Sequence, residues 1–418
     1  MQLFAIGAGV CVMFKEAIEW LLSNILPWIS YVVGPVIAVV SFYFNRLDRR
    51  ELMAQAEALG KLKEEVRQSE RRLSEKDREL STAVAKNEDR SREIDKLEDN
   101  LRQVTTGAST LWKLKPNRPF DRYKEWMHDP KGARILTIGN LKGGVGKTTL
   151  AANLAAYISE ERRLPVLLVD LDYQGSLSSL ALLAAGKTEA ESPINQLFDP
   201  NATLATLIKN EIHLAPKLTQ GWLIGANYTL AQQENELLFK WVMESDSVID
   251  VRYRLAHLFL NPDVRRKYAA IIFDMPPRLT MAPLNALLAS HYFVVPTVLD
   301  KLSGEAVAQF LTVMKSLKDE MQLSIDLAGI AGMMTRTDAM SGIEPAIFES
   351  LLDTGQIWRE DVDFRLARTM PRRVAVAQVA GEDFAWLLPA GQGGNDFRSV
   401  FRPLVEEICA RVKLDEWR

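Results

Sequence analysis

The chain has 418 residues, a formal net charge of −3 and two cysteines, Cys11 and Cys409. That length leaves room for one large domain with appendages, and the charge balance supplies no global basic field of the kind non-specific nucleic-acid binding uses. Two cysteines far apart in sequence exclude a disulfide framework and a cysteine-based metal site, and they suit a reducing compartment.

Near the N-terminus, Trp20 to Phe44 (WLLSNILPWISYVVGPVIAVVSFYF) carries no charged residue. At about 1.5 Å per residue the run is long enough to cross a hydrocarbon core about 30 Å thick. Trp20 and Trp28 lie toward one end and Phe42, Tyr43 and Phe44 at the other, as interfacial aromatic belts do. Arg46, Arg49 and Arg50 follow at once and, by the positive-inside rule, hold the C-terminal side in the cytoplasm. The first residues lack the positive charge and small-residue cleavage site of a removed signal peptide. Residues 1–45 are therefore expected to anchor the chain in the cytoplasmic membrane through one span. Pro27 and the Gly34-Pro35 pair leave a two-helix hairpin as the alternative.

From residue 46 to 104 the composition changes to roughly half charged residues of both signs, without proline. Leu52, Leu59, Val66, Leu73, Leu80, Asn87, Ile94 and Leu101 recur at a strict spacing of seven, all aliphatic but Asn87. This seam predicts a coiled coil, with Asn87 specifying register at some cost in stability. A second seam three residues on is patchy, and a solvated single helix is the alternative. Residues 105–131 (TTGASTLWKLKPNRPFDRYKEWMHDPK) break the heptad with prolines and aromatics and read as a linker or docking segment.

Residues 132–418 read as an α/β domain. Ala133 to Gly139 (ARILTIG) is a buried-strand pattern, and Thr148 to Ile158 (TTLAANLAAYI) is rich in alanine and leucine at helical spacing. Between them, NLKGGVGKTT nearly matches the phosphate-binding pattern G-x-x-x-x-G-K-[ST]. Leu141 stands where the first glycine belongs, and Lys142 adds a second lysine. Gly143, Gly144 and Gly146, with Val145 and Thr149, form a cradle of backbone N–H groups at a positive helix end. Lys147 is expected to reach the β- and γ-phosphates and Thr148 to hold Mg²⁺.

Two further strands end in carboxylates: Pro165 to Asp172 (PVLLVDLD) and Lys267 to Pro277 (KYAAIIFDMPP). Open α/β sheets bind ligands beyond the carboxyl ends of their strands, so the cradle, Asp170, Asp172 and Asp274 should converge on one site. Asp274 and Asp170 are candidates for supporting Mg²⁺, Asp274 through water. Asp172 is the candidate for orienting an attacking water.

KGGVGKTT, followed by VLLVDLDYQGSLS and IIFDMPPRLT, resembles the ParA/MinD family of deviant Walker A ATPases. The resemblance covers roughly residues 133 to 385. It implies a P-loop NTPase with a mostly parallel sheet flanked by helices, here preceded by a transmembrane helix and a coiled-coil stalk. It also implies ATP and Mg²⁺ as cofactors, and hydrolysis of ATP to ADP and phosphate. Lys142 would be the signature lysine, which reaches across a nucleotide-sandwich homodimer to the partner's phosphates and so couples catalysis to dimerisation. The late segment MPRRVAVAQV resembles the part of the family that lies near the adenine, which makes Pro371 a candidate binding residue. Tyr173-Gln174 departs from the usual Pro-Gln of the family. Residues 187–265 match poorly, and 386–418 cannot be aligned.

The order of anchor, stalk and ATPase implies a membrane-tethered switch that positions, segregates or assembles a cargo under the control of a regulatory protein. DNA is one candidate cargo, with Arg365, Arg368, Arg372 and Arg373 as a candidate basic cluster. A tyrosine kinase of the polysaccharide-export type is the first alternative, but no tyrosine follows Tyr292. A nucleotide-dependent membrane scaffold without turnover is the second.

Overall fold

The computed structural model describes residues 49–106, 112–113, 115–188, 193–243, 249–335, 340, 342–372 and 381–417, with scattered positions between 19 and 39. The chain forms two compact units, residues 1–93 and 94–418. Among the described residues no helix is long and apolar enough to cross a membrane. The expected span over 20–44 lies largely outside them.

The heptad region forms one continuous helix, α1 (Arg49–Thr106). Four aliphatic positions of the seam are open to solvent along it, Val66 at 38%, Leu73 at 45%, Leu80 at 37% and Ile94 at 42% exposure. Its charges are arranged partly as neighbouring pairs such as Lys61 with Glu57, four residues apart, each worth a few tenths of a kcal/mol.

The second unit is built on an eight-stranded sheet in the order β3-β4-β2-β5-β1-β6-β7-β8. The strands are β1 (Arg134–Ile138), β2 (Val166–Asp170), β3 (Ile212–His213), β4 (Gly221–Ile224), β5 (Ala270–Asp274), β6 (Tyr292–Val298), β7 (Asp326–Thr335) and β8 (Met370–Pro371). All pairings are parallel except the β3–β4 edge. Central strands β1, β2 and β5 are buried at every residue. Helices cover both faces of the sheet, which is why these strands read as unbroken apolar runs rather than alternating ones.

On one face lie α3 (Lys147–Ala156), α4 (Ser176–Ala184) and α9 (Gly394–Arg411), the last formed by the C-terminal stretch that could not be aligned. The other face packs α5 (Thr229–Met243), α6 (Met281–Ala289), α7 (Lys301–Met321) and α8 (Glu344–Gln356). The poorly matching region 187–265 supplies β3, β4 and α5.

The segment expected as a linker or docking element is docked. It carries the short helix α2 (Tyr123–His128), and Trp112, Tyr123, Trp126 and Met127 belong to the core of the second face. Arg252, fully buried, pairs with Asp250 at 2.5 Å and donates to the carbonyls of Trp112 (2.8 Å), Lys115 (3.2 Å) and Pro116 (2.6 Å). One buried guanidinium thereby satisfies three backbone acceptors of a proline-rich segment that has no ladder of its own. Trp112 Nε1 donates to Glu320, and Asn117 donates to the carbonyl of Met321, both in the last turn of α7. Residues 112–113 and 115–128 thus belong to the packed ATPase-like unit, upstream of the boundary at 132 that the sequence suggests.

Candidate nucleotide site

The site follows from strand register. In the pairing of β2 with β5, Asp170 lies opposite Asp274, and in the pairing of β1 with β5, Ile138 does. The two acidic strand ends and the glycine loop therefore leave the sheet side by side at its carboxyl edge, as the α/β rule requires.

Asn140 opens the loop. Its Nδ2 donates to the Pro296 carbonyl (2.9 Å), and its Oδ1 accepts from the Lys142 amide (3.0 Å). Leu141 packs against the hydrophobic core, which accounts for an apolar residue where the motif has glycine. Gly146 has φ +90°, a conformation that side chains disfavour, and a Cβ there would lie 3.2 Å from Met333 Cε. Residues Gly143 to Thr149 then line one wall of a cavity of about 440 Å³. Asn153, Asp172, Ser176, Pro277, Met334 and Ala385 are among the residues that complete it.

Lys147 Nζ donates to the Lys142 carbonyl at 2.9 Å, which holds the side chain along the loop. Burial lowers the Lys147 pKa, while Asp274 and Asp172 oppose that shift. Thr148 Oγ1 donates to Asp274 Oδ2 at 2.7 Å, and the other oxygen, Asp274 Oδ1, is buried without a partner among the described residues. Burial and the neighbouring Asp170 push the Asp274 carboxyl well above its usual range. A buried carboxylate with an orphaned oxygen beside a threonine hydroxyl fits a hydrated Mg²⁺. Among the described residues no three His, Cys, Asp or Glu side chains gather as a metal cage. A magnesium ion here would take most of its ligands from phosphate and water, its usual habit.

Asp170 is placed differently from its expected role beside the metal. Its Oδ1 accepts from the Asp172 amide (2.9 Å), and its Oδ2 accepts from the amide (2.9 Å) and hydroxyl (2.7 Å) of Ser178. Burial pushes its pKa up to about 6 against these bonds. Both oxygens thus organise the turn 171–178, which presents Asp172 to the cavity.

Lys142 does not line the cavity. Its Nζ lies 2.6 Å from Ser303 Oγ and 3.2 Å from Asp300 Oδ1. Asp300 is the N-cap of α7, accepting from the Ser303 amide at 2.7 Å.

Pro371 corrects an expectation. It is buried in edge strand β8 and is not among the cavity's lining residues. Met334, Gly381, Asp383 and Ala385 line the cavity as well, and Met334 adjoins the loop, its Cε 3.5 Å from where a Gly146 Cβ would stand. Lys217 braces this part of the lining through an ion pair with Asp383 at 2.5 Å. Met334 has φ +57°, an uncommon conformation for methionine that turns the chain at the end of β7. These residues carry no motif, and only the quoted MPP and QGSLS runs pointed toward Pro277 and Ser176. Of the expected basic cluster, Arg365 is committed to Asp363 (2.9 Å) and Glu349 (2.8 Å), whereas Arg368 and Arg372 are exposed. Arg373 lies outside the described residues.

A glycine cradle with two lysines, a threonine on a buried aspartate and a second carboxylate facing the cavity define a P-loop nucleotide-binding protein of the deviant Walker A type. A family profile described as an AAA domain matches residues 133–327. The chain is 32% identical over 227 residues to the chromosome partitioning protein ParA of Myxococcus xanthus, covering 52% of this chain and 70% of that one. It is 27% identical over 282 residues to the sporulation initiation inhibitor protein Soj of Bacillus subtilis, covering 66% and 98%. Apo McdA of Cyanothece shares the fold, with a TM-score of 0.53 and 18% identity over 66% of this chain and 99% of that one. The chain belongs to the ParA family of P-loop proteins.

Proposed function

We propose that this protein is a membrane-tethered ATPase switch that closes as a nucleotide-sandwich homodimer. ATP and Mg²⁺ would bind in the cavity lined by the glycine cradle, Met334 and Ala385. Lys147 and the backbone amides hold the phosphates, while Thr148 and Asp274 support the ion. An ion held there would supply positive charge to offset that developing on the phosphate oxygens. Asp172 orients the attacking water, and Asp170 keeps the Asp172 turn in place.

The observation that carries this reading is the position of Lys142. Its ammonium rests on Asp300 and Ser303, off the lining of its own cavity, so it is not spent on its own phosphates. A lysine held in that way is available to a facing protomer, where a positioned cation would stabilise transition-state charge. The exposed seam of α1 supports a parallel second helix, because unpartnered aliphatic positions at heptad spacing lose apolar exposure by pairing. Pairing through the stalk would hold two ATPase units at high effective concentration, on the order of mM. The anchor is supported by the charge-free run Trp20–Phe44 and by the exposure of Tyr31, Val32, Val33, Val36 and Val39. A regulatory or cargo protein completes the reading. DNA as cargo rests on Arg368 and Arg372, since Arg365 is engaged within the fold.

The test uses the full chain in detergent or nanodiscs, with ATP binding and phosphate release measured separately. Wild type is expected to turn over slowly, at a rate set by conformational steps. Lys142→Ala should bind ATP and lose turnover, and Asp172→Ala should accumulate as an ATP-bound closed dimer. Turnover by Lys142→Ala at the wild-type rate would refute the trans role, and failure of wild type to hydrolyse ATP would leave a nucleotide-dependent scaffold. Proteins or nucleic acid recovered only with the Asp172→Ala form would identify the cargo class.

A further inference from the structure

The departure at Tyr173 has a counterpart elsewhere in the fold. The Arg278 guanidinium lies 4.2 Å from the centroid of the Tyr173 ring. Its Nη2 donates to Glu234 Oε2 at 2.8 Å, and its buried Nε has no hydrogen-bond partner among the described residues. Glu234 sits on α5, 5% exposed, and also accepts from the Thr280 hydroxyl and the Ala282 amide (3.0 Å). Burial raises the Glu234 pKa against these bonds, and nearby Asp172 raises it further, which puts the carboxylate within electrostatic reach of the site. Arg278 follows directly on Pro277, a lining residue of the cavity. One side chain therefore joins the Asp172–Tyr173 turn, the loop after β5 and a helix from the region that matches the family poorly.

The other side of the same turn is fixed by backbone. Gly175 has φ +62°, and a Cβ there would lie 2.7 Å from the Ala226 carbonyl oxygen, just beyond β4. Ser178 Oγ, which donates to Asp170, also accepts from the Ala226 amide at 2.8 Å. The turn is thus gripped between the exit of β4 and the Arg278–Tyr173 stack, with Asp172 in the gripped segment.

We propose that Tyr173, Arg278 and Glu234 form a clamp that sets the position of Asp172, making Arg278 and Tyr173 positioning residues for water activation. The proposal rests on the reading of Asp172 given above. A planar guanidinium serves two partners at once here, the ring through its face and the carboxylate through its edge. The region 187–265 gains a role in the same step, because it supplies both Glu234 and the Ala226 backbone. A displaced carboxylate loses catalysis before it loses binding, because the phosphate contacts come from a different loop.

The decisive variant is Tyr173→Ala, which releases the turn and leaves the Arg278–Glu234 pair intact. Turnover should fall about tenfold while the KM for ATP stays within about twofold, the signature of misplacement rather than lost binding. Tyr173→Phe keeps the ring face and should recover most of the lost rate. In an Arg278→Ala/Glu234→Gln background, which removes the guanidinium without stranding a buried charge, Tyr173→Ala should cost no further rate. Wild-type turnover in Tyr173→Ala, or an equal loss in both backgrounds, would overturn the clamp. Amide exchange across residues 172–176 supplies a reading independent of hydrolysis. It should rise in Tyr173→Ala and return to the wild-type level in Tyr173→Phe, and unchanged exchange would likewise overturn the proposal. An inactive wild type would overturn the ATPase reading alone, since exchange still decides the clamp.

Discussion

Two parts of the nucleotide cavity's lining are built in opposite ways. The phosphate wall is one contiguous loop, Gly143 to Thr149, held between a fully buried strand and a helix of ten residues. The rest of the lining is collected from separate stretches, Met334 near the end of β7 and Gly381, Asp383 and Ala385 before the C-terminal helix, and is braced by Lys217 from beyond β3. Under the proposed function, the difference follows from what each part of the lining would recognise. A phosphate is satisfied by backbone amides and a lysine, which a short segment can present in full. A base is recognised by apolar area and shape, which any set of side chains brought together by the fold can supply.

The comparison is broken most forcefully at Lys147. Its ammonium is buried and aligned by the Lys142 carbonyl, so Lys147→Ala removes charge-assisted contacts that no neighbour replaces. The expected loss in ATP affinity is about 100-fold, corresponding to about 2–3 kcal/mol for hydrogen bonds from a charged group. Titration with a fluorescent ATP analogue measures it. Binding within tenfold of wild type would mean that the cradle amides alone carry phosphate recognition.

A smaller effect is expected elsewhere in the lining, where Met334 can be set against Pro371, which lies off it. Met334→Ala removes apolar surface from the cavity and should weaken ATP and ADP equally, by about tenfold at most for a partly buried methionine. Pro371→Ala, in a strand that does not line the cavity, should leave both affinities within about twofold, given the scatter of remote substitutions. An equal loss in the two variants would restore Pro371 to the site. A loss confined to ATP would place Met334 beside the γ-phosphate instead.

The same asymmetry explains what could be read before the structure. The cradle, Asp172 and Asp274 were legible because their geometry is local: a glycine that must take φ +90°, a lysine one step on, an acid at the end of an apolar strand. The sheet was legible for the same reason, since β1, β2 and β5 are buried on both faces. Asp170 was identified as a site residue but not in its placement, because its hydrogen bonds go to Ser178, eight residues on. Pro371 was assigned to the cavity by resemblance, whereas the wall comes from Met334 and residues 381–385, which have no chemical signature. Arg252 was invisible as a scaffold residue, since a buried arginine that caps three carbonyls resembles any surface arginine in sequence.

The smallest predicted effect concerns the resting place of Lys142, which belongs to the phosphate loop in sequence but is held by the N-terminus of α7. Burial pushes the Asp300 carboxyl up, but bonds from Ser303 and Lys142 outweigh it and leave its pKa lowered, so Asp300 is ionised at neutral pH. The side chains are 31% and 48% exposed, which limits the contact to the range of solvent-screened pairs, about 0–1 kcal/mol. Asp300→Ser keeps an N-cap oxygen for α7 and removes the charge that retains Lys142. If closing the dimer requires Lys142 to leave Asp300, ATP-dependent dimerisation should tighten by up to about fivefold, the equivalent of that energy range. ATP affinity of the monomeric form should be unchanged, because Lys142 does not line its own cavity. Sedimentation of the full chain in detergent, with the Asp172→Ala background suppressing turnover, reads both quantities. Weaker dimerisation would mean that Asp300 acts in the closed form as well, guiding Lys142 across the interface rather than only retaining it.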